Sequence, residues 1–144
     1  MATLQGAISE IVDVIAAVDG VNHVPDEPTE QVTIWPAAMV YATDGLVSPN
    51  RASVENKTLH SITIAVIMPL NDMRQATKIM LPLYEPIANA LIGHLNGRTS
   101  QNYSTWGGLE YTLGPIEWPQ GQVMYGYIFT LREVKIINDI AYGS

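Results

Sequence analysis

No cysteine occurs in these 144 residues, which removes disulfides and thiolate–metal sites from consideration. Charge is scarce too: only 15% of residues are Asp, Glu, Lys or Arg, against about 25% in an average soluble domain. Bases are scarcer than acids, seven against fourteen, for a net charge of −7. That balance disfavours tight nucleic-acid binding. No run of 18 apolar residues is present, so no segment is expected to span a membrane as a helix. The opening MATLQGAISEIVDVIAAV has no basic stretch before its apolar residues, so no signal peptide is expected. The protein is expected to be made in a cytoplasm and to stay soluble. The triplets Asn56-Lys57-Thr58 and Asn102-Tyr103-Ser104 are therefore read as chance matches to a glycosylation motif.

What is present is apolar: 47% of the chain is hydrophobic. Residues 1–144 suit a single domain, and a chain of this size buries on the order of 70% of its unfolded surface. Much apolar surface with little charge fits either a well-filled core or a face covered by a partner. The acids are unevenly placed. Glu10, Asp13, Asp19, Asp26, Glu27 and Glu30 fall in the first thirty residues, which contain no Lys or Arg, so this segment carries −6 of the −7. A solvated helix face is the plain reading. A basic partner, or a surface past which DNA slides without sticking, is the sharper one.

Periodicity then divides the chain. Thr3 can cap a helix reaching about Val18, with Leu4, Ala7, Ile8, Ile11, Val12, Ile15 and Val18 on one stripe. Asp19-Gly20 is a stop signal, and Gly20 suits a left-handed position. VNHVPDEPTEQ reads as an extended connector. Residues 32–42, VTIWPAAMVYA, read as a strand with Ile34, Ala38 and Val40 on one face and Trp35, Met39 and Tyr41 on the other. Pro36 marks a strand edge or a bulge. Residues 43–56 read as a long polar loop, and residues 58–69 as a second strand, apolar on both sides. Asn71-Asp72 opens a helix through Asn96-Gly97, which Pro82 and Pro86 must bend or split in two. Residues 97–108 read as another polar loop. A hairpin follows, turning at Pro119-Gln120-Gly121, with Val123, Tyr125, Tyr127, Phe129 and Leu131 on one face of its last strand. The order α-β-β-α-β-β has no β-α-β regularity. It implies an α+β fold, an antiparallel sheet with two main helices packed on one face.

Motifs for chemistry are missing. There is no GxxxxGK[ST], no GxGxxG and no GxSxG. His23, His60 and His94 sit in different elements, none at ligand spacing from a second His or carboxylate, so no metal site is expected. Asp26-Glu27 lies in a proline-rich connector, where an exposed pair is expected, not a perturbed one. The bases Arg51, Lys57, Arg74, Lys78, Arg98, Arg132 and Lys135 form no basic stripe. No catalytic residue, metal ligand or cofactor site is therefore expected, and the chain is read as a non-enzyme.

The sequence of features does resemble one family. The N-terminal amphipathic helix, the connector GVNHVPDEP, the strand IWPAAMVY, the strand HSITIAVIMP, the helix LNDMRQATKIMLPLYEPIANALIGHL and a final hairpin look like the small tail-terminator and head–tail joining proteins of long-tailed bacteriophages. The matches are strongest at Val24-Pro25 through Pro28, at Trp35-Pro36, and in the helix with Pro82 and Pro86. The resemblance spans essentially the whole chain. It implies a structural virion protein of the tail or neck that forms a homo-oligomeric ring, usually a hexamer, on the end of the tail tube. Such a ring stops tube growth and docks onto the head connector. The implied partners are other copies of the chain, the tail tube protein and the head–tail connector protein, with DNA passing through the lumen unbound. The family supplies no catalytic residues. On this reading residues 43–56 or 97–108 reach a neighbouring subunit or ring. The candidate assembly contacts are Asp44, Pro49, Arg51, Asn102, Trp106 and Trp118. Two rivals stand beside it. One is another neck or minor tail component. The other is a small-molecule-binding or enzymatic α+β domain, with Trp106, Tyr111 and Trp118 lining a pocket near the hairpin.

Overall fold

The computed structural model describes residues 3–25, 34–48, 57–96 and 103–136. The first helix, α1, is Leu4–Ala16. Thr3 caps it by accepting a hydrogen bond from the Gly6 N–H at 2.9 Å, which satisfies one of the free donors of the first turn. Its apolar stripe buries Ala7, Ile11, Val12 and Ile15. Gly20 has φ +98°, the left-handed conformation expected of it. It lies three residues beyond the C-cap at Ala17, in the turn that leads away from the helix. An added Cβ there would meet Leu83 Cδ2 at 2.6 Å, so glycine serves both the turn and a close approach.

Strand β1 is Ala37–Ser48 and strand β2 is Lys57–Pro69. They pair antiparallel from Ala37↔Ile67 to Ser48↔Lys57, with a bulge between Ala42 and Asp44. The strand therefore begins five residues later than expected and continues through Thr43–Ser48, which read as loop. The ladder with β2 imposes strand geometry there despite turn-forming residues. Pro36 stands just before β1, after a cis peptide bond to Trp35. Residues 49–56 lie outside the described residues.

The second helical region is split, as its prolines require. α2 is Met73–Met80, Leu81–Leu83 form a 3-10 turn with Pro82 near its start, and α3 is Tyr84–Asn96. Asp72 caps α2 through a hydrogen bond from the Arg74 N–H at 3.0 Å. Pro82 sits where a missing N–H costs little, and Pro86 falls in the first turn of α3.

Three strands complete the sheet. β3 is Tyr103–Thr105, β4 is Gly108–Glu117 and β5 is Val123–Ile136. β3 and the first residue of β4 occupy part of the expected 97–108 loop; residues 97–102 lie outside the described residues. β4 and β5 form the hairpin, turning at Pro119–Gly121. The sheet order is β1-β2-β5-β3, with β4 also on β5, and every pairing is antiparallel. β5 is thus the spine, bonded to β2 on one side and to β4 and then β3 on the other. Its bulge lies opposite Ser61, where the register slips and Glu133 takes φ +55°.

All helices pack on one face. Ala38, Val40, Ile62, Ile64, Val66, Tyr125, Tyr127, Phe129 and Leu131 point into that core beside Ile11, Ile15, Met80, Ile87 and Leu91. On the opposite face Met39, Ala65, Ile67 and Met124 form a second buried cluster, flanked by Trp35, Tyr41, Ile116, Trp118 and Ile128. The two-sided apolar strands are thereby explained. Two residues expected on apolar strand faces are instead surface residues: Ile34, 52% exposed, and Val123, 47% exposed. Ile34 precedes β1, and Val123 is the first residue of β5, paired with Glu117 at the end of the sheet. No helix is long and apolar enough to cross a membrane, among the described residues.

Candidate functional site

A groove opens where the 3-10 turn passes over the β4–β5 hairpin. Leu81, Pro82, Tyr84, Glu85, Tyr111, Leu113 and Tyr127 line it, around a volume of about 550 Å³. Alternation places Tyr111 and Leu113 of β4 on the helix side, opposite Phe129 and Tyr127. Tyr84 enters from α3 and packs on Tyr111 with ring centroids 4.7 Å apart. Beneath them Tyr127 and Phe129 stack at 5.2 Å.

The groove is anchored from below. Tyr127 Oη donates to the Leu81 carbonyl at 3.2 Å, and Thr77 Oγ1 donates to Tyr125 Oη at 3.4 Å. These bonds hold α2 and the 3-10 turn over β5. Burial, and then the Glu85 carboxylate, push the Tyr127 hydroxyl up to about 12, so it stays a neutral donor. The rim is apolar and open: Leu81 is 56% exposed and Tyr111 is 50% exposed. Among the described residues, Glu85 is the only charged side chain in the lining. Beside the groove β4 is an edge strand among the described residues, with Pro115 in its interior. A proline without a ladder donor is accommodated at such an edge.

The expected assembly residues are dispersed. Asp44 is exposed on β1 just past its bulge, opposite Ser61. Trp106 lies between β3 and β4, half-buried against the helix-side core. Trp118 directly follows β4 on the other face, beside the second cluster. Pro49, Arg51 and Asn102 lie outside the described residues. The rival grouping of Trp106, Tyr111 and Trp118 is not one pocket, because Trp118 is on the opposite side of the sheet from Tyr111. The reading of the residues missed Leu81, Tyr84 and Leu113. A leucine placed just before the helix-breaking Pro82 was the available signal.

His94, in the last turn of α3, faces Glu10 of α1, with Nε2 and Oε2 3.5 Å apart. The two side chains tie α1 to α3. On the helix-free face Arg132 bridges Glu110 at 3.3 Å and Ser61 Oγ at 3.4 Å. Among the described residues, no three His, Asp or Glu side chains gather as a metal site would require. In comparisons with known proteins, no family model matches the chain and no curated protein matches it in sequence.

Proposed function

We propose that this chain is a structural protein that assembles with copies of itself into a ring at the head-proximal end of a phage tail. There it ends the tail tube and joins it to the head connector. The observation that carries this reading is the exposed aromatic groove of Leu81, Tyr84, Tyr111 and Leu113 beside the edge strand β4. Apolar surface left open next to an unpaired strand edge is material for contact with another protein.

The resemblance to tail-terminator proteins supplies the kind of assembly, and the α+β order agrees with it. A net charge of −7 suits a conduit through which DNA moves without adhering. A small-molecule site is less well supported. The groove has the size of one, but ligand sites bring several polar groups to one point. Here the Tyr127 hydroxyl is already committed to Leu81. Electron microscopy of tails assembled with and without this chain tests the reading. Overlong tubes without it, and tubes of fixed length capped by a ring with it, are expected. Tubes of normal length in its absence would refute termination.

A further inference from the structure

A closed ring of identical copies needs two different surfaces on each copy, one meeting the other on the next. The helix layer carries two such surfaces with opposite charge. α1 packs against β1 and α3, whereas α2 packs over the central strand β5, so the two helices sit over different strands of the sheet. α1 contains Glu10 and Asp13 and no base, and Asp19 follows it. Glu10 turns toward His94. Asp13 stands on an exposed stripe with Gln5, Ser9 and Ala16, and no described side chain pairs with it.

α2 has the complementary character. After its capping Asp72 it contains Arg74 and Lys78 and no acid. Both bases are exposed, and no described carboxylate pairs with either side chain. Arg74, Lys78 and Leu81 follow one another at spacings of four and three, which places them on one stripe. Met73, 49% exposed, lies beside it, and Leu81 continues it into the aromatic groove.

We propose that the contact between neighbouring copies joins α1 of one to α2 of the next. The Asp13 stripe docks on Arg74 and Lys78, and Leu81 with Met73 supplies the apolar part of the contact. This rests on the ring reading and names the surfaces that would make it. The charges select a second copy in this orientation. Two α1 surfaces would bring acid to acid, and two α2 surfaces base to base, so a two-fold pairing through either helix is opposed. A two-fold pair that set α1 on α2 in both directions would also join opposite charges but would stop at a dimer, whereas the head-to-tail contact leaves one surface open on each copy and is the kind that closes rings.

The absence of cysteine permits a clean test in the full-length chain. Ser9→Cys on α1 and Gln75→Cys beside the α2 stripe, joined by a short bis-maleimide, should give a ladder of dimers, trimers and larger species from the double variant. Each single variant should give no dimer, and a mixture of the two should give dimer alone. Dimers from a single variant would mean a two-fold contact and would overturn the proposal. Absence of a ladder from the double variant, both alone and with tail tubes added, would overturn it as well.

Charge reversal gives the second arm. Arg74→Glu with Lys78→Glu, or Gln5→Lys with Asp13→Lys, should each weaken self-association at least about tenfold in sedimentation equilibrium. A chain carrying all four changes should return to within about threefold of the original. If the two reversals do not rescue each other, the basic stripe meets some other protein and the contact is wrong. The ring reading fails separately. Tubes that still end at fixed length under a chain with no ladder leave that reading standing. A ladder from a chain that does not affect tube length leaves the contact standing alone.

Discussion

Gly114 and Gly126 face each other across the β4–β5 pair, yet a methyl group would mean opposite things at the two. A Cβ on Gly126 would drive into the Val66 carbonyl of the neighbouring strand, whereas one on Gly114 meets nothing within 4 Å. Gly126→Ala should therefore cost at least about 3 kcal/mol in urea unfolding. Gly114→Ala should be neutral or stabilise by a few tenths of a kcal/mol. Tyr127 offers a second residue-level check. Removing its hydrogen bond to Leu81 with Tyr127→Phe should cost about 1 kcal/mol. Its folded pKa, about 12, lies above the ordinary 10.0, so the folded state holds this proton where the unfolded state releases it. The stabilisation is complete below pH 10.0 and is lost as pH rises from there to about 12. The ultraviolet absorbance of ionised tyrosine, followed against pH, should show one hydroxyl titrating last, and Tyr127→Phe should remove that step. Trp118 Nε1 is buried without a described acceptor. Trp118→Phe deletes that donor along with some area, and the change in stability should stay within about 1 kcal/mol.

At the scale of elements, α2 is short enough to depend on its cap. Asp72→Ala should cost about 1 kcal/mol and expose the amides of Arg74 and its neighbours to faster hydrogen exchange. The elements that were legible in the sequence are those whose signal is local. α1, β2 and the β4–β5 hairpin follow periodicities of 3.6 and 2, and the break at Pro82 follows from the missing N–H. The tail of β1 was not legible, because Thr43, Asp44 and Gly45 resemble a turn. What makes this stretch a strand is the pairing of Asp44, Gly45 and Leu46 with Ser61, His60 and Leu59, supplied by another segment, while Thr43 falls in the bulge. β3 is three residues long, too short for any period. The groove was hidden for a related reason. Tyr84 and Tyr111 are 27 positions apart in the sequence, and only the turn at Pro82 brings one ring onto the other.

For the whole molecule, the distribution of charge matters more than its total. Every copy carries −7, so copies repel at long range, and under the proposed contact they attract where α2 meets the acidic surface of α1. Both effects weaken with added salt, but the contact acts at close range. Self-association should therefore be strongest near physiological ionic strength. It should decline between about 0.15 and 1 M salt, where the screening length falls from about 8 to 3 Å. Sedimentation at several salt concentrations checks this, and a rise across that range would point to the apolar groove as the dominant contact.

The position of β5 has a mechanical consequence. It is bonded along both sides, to β2 on one and to β4 and β3 on the other. A load applied along β5 has to shear two ladders together, while a load on β1 can unzip one ladder rung by rung. The molecule therefore has a stiff axis and a yielding flank, and it would resist thrust best when β5 lies parallel to the force.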